Sequence, residues 1–332
     1  MTNISVIIPS NHSQHELLKV VHAICNQTFK PAEIVIVDSS TEHSVCSAEI
    51  TAFCAVSGIG LNYEHRSKAF PGHARNIGLG LAKGELIAFI DVQTIPRPHW
   101  LEAASNLLES NAIACVWGAT VFSAETTFER LVRDGFQGTL ARTTLPGTVC
   151  RRDVFAKTGQ FVGWVRAGED TEWILRFKLL KFQAINPSSA LIDYVGLIGS
   201  DSKRLLSKWY RNYTASRNLP HFFPQRMLLW LVLYPLLIVI AFNWNYLIAD
   251  WRMDSPLYLG HVTKIVAGLP VLAYVGIRGF ALPMRRGVGI WRLLPFRFIP
   301  ITVICFMADI VKFLVFSFPK LKRDDCTLET DS

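Results

Sequence analysis

A chain of 332 residues that is half hydrophobic and 18% charged, with mean hydropathy +0.28, is too apolar for an ordinary soluble domain and too rich in core formers for a disordered or fibrous one. Its net charge of +8 is concentrated: residues 200–226 hold six Lys/Arg against one Asp, and residues 284–297 hold four Arg. Both stretches flank apolar segments, so anionic lipid headgroups are the expected partner and nucleic acid is disfavoured.

Seven cysteines, odd in number and never spaced CxxC, write neither a disulfide framework nor a zinc site and fit a reducing cytosol. The opening MTNISVIIPS has an apolar run of four residues and no basic flank, so no signal peptide is expected and the first domain is expected in the cytoplasm. Short β-branched runs then alternate with stretches of helical period. Residues 5–8 read as a strand, 15–27 as a helix with Leu17, Leu18, Val21 and Ile24 on one face, 33–37 as a strand ending at Asp38, and 61–64 as a third strand. Residues 73–82 read as a helix, 85–90 as a strand stopping at Asp91, and 99–108 as a helix entered through Pro96 and Pro98. This is the βαβ pattern of an α/β domain with a mostly parallel central sheet. Ligands bind at the carboxyl ends of such strands, so Pro9-Ser10, Asp38-Ser39 and Asp91-Val92-Gln93 are expected to meet in one cleft. A dinucleotide-binding domain is disfavoured, because the five residues from Pro9 hold no glycine to admit a pyrophosphate, and Gly78, Gly80 and Gly84 lie inside a helix and before a strand. Residues 117–150 read as loops that shape the pocket.

Four segments in order, SVIIPS at 5–10, QTFKPAEIVIVDSS at 27–40, ARNIGLGLAKGELIAFIDVQTIP at 74–96 and GEDTEWILRF at 168–177, resemble the large family of inverting GT-A glycosyltransferases that includes cellulose synthases and polyprenol-phosphate sugar synthases. The similarity runs over roughly residues 3–215. It implies a GT-A nucleotide-sugar-binding domain over residues 1–200, and an enzyme that moves one sugar, with inversion, from a UDP- or GDP-linked donor to an acceptor hydroxyl or phosphate. Carried over residue by residue, Asp38 accepts a hydrogen bond from the donor base, with Pro9 and Ser10 lining the same pocket. Arg75-Asn76 holds the donor near its diphosphate, where a guanidinium forks onto phosphate oxygens. Asp91 and Gln93 occupy the place of the DxD motif, which holds the ribose and a divalent metal, Mg²⁺ or Mn²⁺. Gln93 is an amide where the family has a second carboxylate, and no His follows in residues 191–202, so Asp91 is left as a lone metal ligand and metal dependence stays open. Without the metal, cationic side chains such as Arg75 or Lys83 would have to offset the charge on the departing diphosphate. Asp170 corresponds to the general base, with Glu169 beside it and Gly163-Trp164 on the acceptor side. A catalytically silent nucleotide-sugar-binding membrane scaffold is the alternative reading.

Residues 202–217 place Leu205, Leu206, Trp209 and Tyr213 near helical spacing among basic residues, an amphipathic interfacial helix within residues 201–225. Apolar segments at 227–248, 265–282 and 298–318 are expected to form a transmembrane region, followed by a polar tail at 319–332. With the first domain inside, inner segments hold ten Lys/Arg and outer ones five (Arg252, Lys264, Lys320, Lys322 and Arg323), as the positive-inside rule asks. Two spans with the last helix at the interface is the alternative. Asp309 and Lys312 stand at i, i+3 and can pair on one face, turned to the bundle interior or to another subunit, so oligomerisation through these helices is a further expectation. The expected location is the cell (inner) membrane, multi-pass, with the catalytic domain cytoplasmic and a lipid-linked or glycan acceptor held in the bilayer.

Overall fold

The computed structural model describes residues 3–42, 46–196, 202–217, 219, 236, 239–247 and 252–317. Two compact units divide the chain: Met1–Glu129 with Thr139–Phe222 belong to the first, and Arg130–Gly138 with Phe223–Pro319 to the second.

In the first unit the chain runs β1 (Ile4–Ser10), α1 (Gln14–Cys25), β2 (Glu33–Asp38), α2 (Ala48–Val56), β3 (Gly60–His65), α3 (Pro71–Leu81), β4 (Leu86–Phe89), β5 (Thr94–Pro96), α4 (Trp100–Leu107), β6 (Cys115–Phe122), α5 (Thr127–Phe136), β7 (Arg142–Arg151), α6 (Val154–Thr158), α7 (Glu169–Leu179), β8 (Ala184–Ile185), β9 (Ile192–Tyr194) and α8 (Ser202–Arg217). The sheet order is β3-β2-β1-β4-β7-β6-β9-β5, with β8 also on β6. Strands β3, β2, β1 and β4 are mutually parallel, as read from the sequence, while β7 runs antiparallel to both β4 and β6 and makes the sheet mixed. β1 and β2 are runs of Ile and Val because both their faces are covered. Alternation sends Val6, Ile8 and Ile36 to one side, against Leu17, Val20 and Ile24 of α1 and against Trp100. Ile7, Val35 and Val37 face the other side, toward Ala74 and Leu79 of α3 and the aromatic group of Trp117, Trp173 and Phe177. The buried indoles are satisfied: Trp100 donates to the Gly147 carbonyl at 2.7 Å and Trp173 to the Thr158 hydroxyl at 3.1 Å.

Residues 117–150 are not loops. They supply most of β6, α5 and the greater part of β7, and β6 with β7 is a central pair of the sheet. Gly118 and Pro146 interrupt the strand pattern in the sequence, and the register of the pair shifts between Val116 and Gly118, so no clean alternation is visible there.

The second unit contains residues 130–138, which include most of α5, helical residues 239–247, α9 (Val262–Val275), a π-helical turn (Gly276–Ala281), short helical turns at Leu282–Arg285 and Ile290–Leu293, and α10 (Phe298–Ser317). Val288, Leu293, Ile301 and Cys305 form its buried core, with Leu131, Phe136, Phe280 and Phe298 packed around them. Among the described residues one helix, Phe298–Phe316, is long and apolar enough to cross a membrane, by length and composition. Residues 265–282 are helical but pass through the π-helical turn, and most of 227–248 and all of 319–332 lie outside the described residues. Asp309 does not pair with Lys312. Arg278 forks onto both of its carboxylate oxygens, with Nε to Oδ2 at 2.9 Å, and the Tyr274 hydroxyl donates to Oδ2 at 2.8 Å. A bidentate guanidinium from the neighbouring helix satisfies both oxygens at once, which an i, i+3 lysine cannot.

Candidate active site

A cleft of about 460 Å³ opens at the carboxyl ends of β1, β2 and β4. β1 brings Pro9 and Ser10 to its floor, the residue after β2 is Ser39, and the turn after β4 brings Asp91, Val92 and Gln93. The opposite wall is the segment from Arg166 to Asp170, which enters α7, and α8 adds Asn212. The amphipathic helix α8 is therefore also a wall of the cleft. Its end fixes the entry to α7: Gly168 has φ +94°, and a Cβ there would stand 2.8 Å from Leu219 Cδ1 and 3.1 Å from Ser216 Cβ. A glycine meets both demands.

Arg75 on α3 is 4% exposed and lies between two acids. Its Nη2 donates to Asp91 Oδ1 at 2.9 Å and its Nη1 to Glu169 Oε1 at 2.7 Å, tying the end of β4 to the start of α7. Burial alone would lower the guanidinium's pKa, but Asp91, Glu169 and Asp170 together raise it above the ordinary value. Glu169 is 4% exposed, and burial raises its pKa; Arg75 opposes that shift and the neighbouring Asp170 adds to it. Arg75 Nε and Glu169 Oε2 are buried without hydrogen-bond partners. Asp170, in the first turn of α7, lines the cleft; its Oδ1 accepts from the Thr171 amide at 2.7 Å and the Thr171 hydroxyl at 3.3 Å, and among the described residues Oδ2 carries no hydrogen bond. A carboxylate so placed can take a proton from a group bound in the cleft.

Several expected residues stand elsewhere. Asp38 is 2% exposed and does not line the cleft; its Oδ2 accepts from the Ser40 hydroxyl at 2.5 Å and the Tyr63 hydroxyl at 3.1 Å, and its neighbour Ser39 faces the cavity instead. Asn76 turns away from the cleft. Its amide donates to the Phe161 carbonyl at 2.8 Å and accepts from the Phe161 amide at 2.9 Å, clamping α3 to the loop before α7. Gly72 on the same helix is needed for that approach, since a Cβ would fall 2.2 Å from the Val162 carbonyl oxygen. Gly163 packs on His73, and Trp164 is 42% exposed on this loop; neither lines the cleft.

Gln93 is fixed by a residue that sequence reading passed over: the Tyr194 hydroxyl donates to its Oε1 at 2.5 Å. Burial, helped by the Asp91 charge, pushes the Tyr194 pKa up to about 12, so the phenol stays protonated and remains a donor. No three His, Cys, Asp or Glu side chains converge on a common point among the described residues. Asp91 already holds Arg75, and the amide at position 93 already holds Tyr194. This donor set does not fit a cation held by the protein alone: a Mg²⁺ site of one or two carboxylates also needs substrate phosphate oxygens, and the single carboxylate here, Asp91, is already paired with Arg75. Arg166 and Asn212 were also missed. Arg166 stands four residues before Asp170 but lies outside the motif, and Asn212 was read only as part of a membrane-facing helix.

Residues 5–176 match the model of glycosyl transferase family 2. Glycosyltransferase AglE of Haloferax volcanii is 22% identical over 184 residues, covering 52% of this chain and 60% of that protein. YibD of Escherichia coli K12, described as an uncharacterized glycosyltransferase, is 33% identical over 105 residues, 31% of this chain and 30% of that protein. The matched stretches thus span less than two thirds of these relatives' lengths. Mannosyltransferase PcManGT from Pyrobaculum calidifontis, solved with GDP-Man and Mn²⁺, shares the fold, with TM-score 0.51 at 14% identity over 94% of this chain and 87% of that one. Because the family match covers more than half of the residues and takes in Arg75, Asp91, Glu169 and Asp170 together, this chain belongs to glycosyl transferase family 2.

Proposed function

We propose that the protein is a membrane-bound inverting glycosyltransferase that takes a sugar from a nucleotide-sugar donor, UDP- or GDP-linked, and passes it to a hydroxyl or phosphate of a lipid-linked or glycan acceptor. The observation that carries this reading is the meeting, in one cleft at the strand ends, of Asp91, Arg75 and the Glu169-Asp170 pair from three separate stretches of chain. Ser10 and Ser39 line the nucleoside end. Asp38 shapes that end from behind, through Ser40 and Tyr63. Asp170 takes the acceptor proton as the acceptor oxygen attacks the anomeric carbon and the bond to the diphosphate breaks; attack opposite the leaving group inverts the centre. Trp164, exposed on the loop that feeds α7, offers an aromatic face to the acceptor. A protein of similar fold was solved with GDP-Man and Mn²⁺, which supports a nucleotide-sugar donor. A divalent metal travelling with such a donor would find only Asp91 as a carboxylate ligand at the former DxD position, and no step is assigned to it. The apolar α10 and the basic stretches of the sequence support a cell-membrane location with the cleft on the cytoplasmic side and anionic lipids beside it.

A panel of radiolabelled nucleotide sugars incubated with membranes carrying the full chain tests this directly. Transfer is expected with one donor, and Asp170→Asn should lower turnover by about 10² to 10⁴-fold while leaving donor affinity unchanged. Silence with every donor would favour a nucleotide-sugar-binding scaffold.

A further inference from the structure

The cleft holds two arginines and three carboxylates, and the two arginines are not equivalent. Arg75 is buried and committed to Asp91 and Glu169, so turning it toward a phosphate would strip two acids of their cation. Arg166 lines the same cleft, is exposed, and forms no ion pair or hydrogen bond among the described residues. Its backbone is nevertheless held on both sides. Val165 before it is 3% exposed, and Gly168 after it is locked in a left-handed conformation against Ser216 and Leu219.

We propose that Arg166, not Arg75, is the side chain that grips the donor diphosphate and receives the leaving group. This rests on the glycosyltransferase reading and adds a residue to it. With Asp91 and Gln93 already engaged, charge appearing on the departing oxygen has to be met by a cation of the protein. The uncommitted guanidinium in the cleft presents parallel N–H donors that match phosphate oxygens. In the transfer step the bond between the anomeric carbon and the diphosphate oxygen breaks, and its electron pair stays on that oxygen. Arg166 donates hydrogen bonds to it without giving up a proton, and the acceptor's proton goes to Asp170. Arg75 is a positioning residue that sets Asp91 and Glu169.

Isothermal titration of the full-length protein in detergent, with EDTA present, against UDP, GDP and the corresponding monophosphates tests the assignment. Arg166→Ala should weaken diphosphate binding by about tenfold or more, the worth of a charge-assisted contact, and monophosphate binding by much less. Arg166→Lys should restore part of the loss by keeping the charge without the fork. Since Arg166 has no partner among the described residues, the thermal unfolding of both variants should match the parent's. If Arg166→Ala binds UDP and GDP within threefold of the parent, or loses mono- and diphosphate equally, the assignment is wrong while the family function stands. If the parent binds no nucleoside diphosphate at all, the glycosyltransferase reading fails first and this falls with it.

Discussion

Replacing Arg75 with Ala separates a residue that holds the cleft together from one that binds what enters it. The cost is dominated by Glu169, whose side chain is 6% exposed and would be left as an uncompensated carboxylate; breaking such a buried pair costs about 3–5 kcal/mol. Asp91 has 32% of its side chain exposed and recovers water, so its share is that of a surface pair, about 0–1 kcal/mol. The contact of the guanidinium with the Phe161 ring, 5.8 Å from its centroid, adds about 0.5–1 kcal/mol. The expected loss is therefore about 5 kcal/mol, read as a shift in the urea midpoint at unchanged slope, followed by tryptophan fluorescence of the full-length protein. Most of that penalty is the orphaned Glu169 charge, so Arg75→Ala combined with Glu169→Gln should regain at least half of it. A loss under about 1 kcal/mol for the single variant, or no recovery in the double, would refute the view that Arg75 is a structural bridge.

Because the donor set at Asp91 and Gln93 does not fit a resident metal, EDTA should change the transfer rate less than about threefold. Gln93→Asp, which restores a second carboxylate, should create an EDTA-sensitive enzyme; an unmodified protein abolished by EDTA would contradict the argument. Glu169 binds a proton more readily in the folded chain than at the ordinary value of 4.5, so folding takes up a proton in the window just above that value. Stability of the parent relative to Glu169→Gln should then fall as pH rises through the window, and a rise would show that Arg75 outweighs burial. In intact cells a membrane-impermeant thiol reagent should reach Ser255→Cys but miss Cys46 and Cys54, and labelling of the latter pair from outside would invert the topology.

The parallel half of the sheet was legible because its strands are short runs of Ile and Val ending in polar residues, and the helix at 202–217 because its stripe survives among lysines and arginines. β6 and β7 were not, since Gly118 and the shifted register around it blur the period that betrays a strand. At the site, the motifs located Asp91 and Asp170 at the cleft but could not say which groups are spent on one another. Glu169 lies 94 residues from Arg75 and Tyr194 lies 101 from Gln93, and such pairings exist only after the chain has folded. Asn76 follows Arg75 in the motif, yet helical geometry turns it to another face, onto Phe161. The same distance effect hid the Arg278 and Asp309 pair, because reading along one helix offers Lys312 and never the neighbouring helix.

The segment 130–138 lies in the sequence between two adjacent strands, yet it belongs to the helical unit. There Leu131 and Phe136 join a core completed by Ile301 and Cys305, Asp134 is fully buried with Arg297 3.5 Å away, and Gly135 leaves just enough room for the Cys305 sulfur. A fragment cut after residue 222 would leave Leu131 and Phe136 without the partners that cover them, an invitation to aggregate. During synthesis this segment is made well over a hundred residues before the partners that cover it, so its apolar face stays open until residues 288–305 have been made.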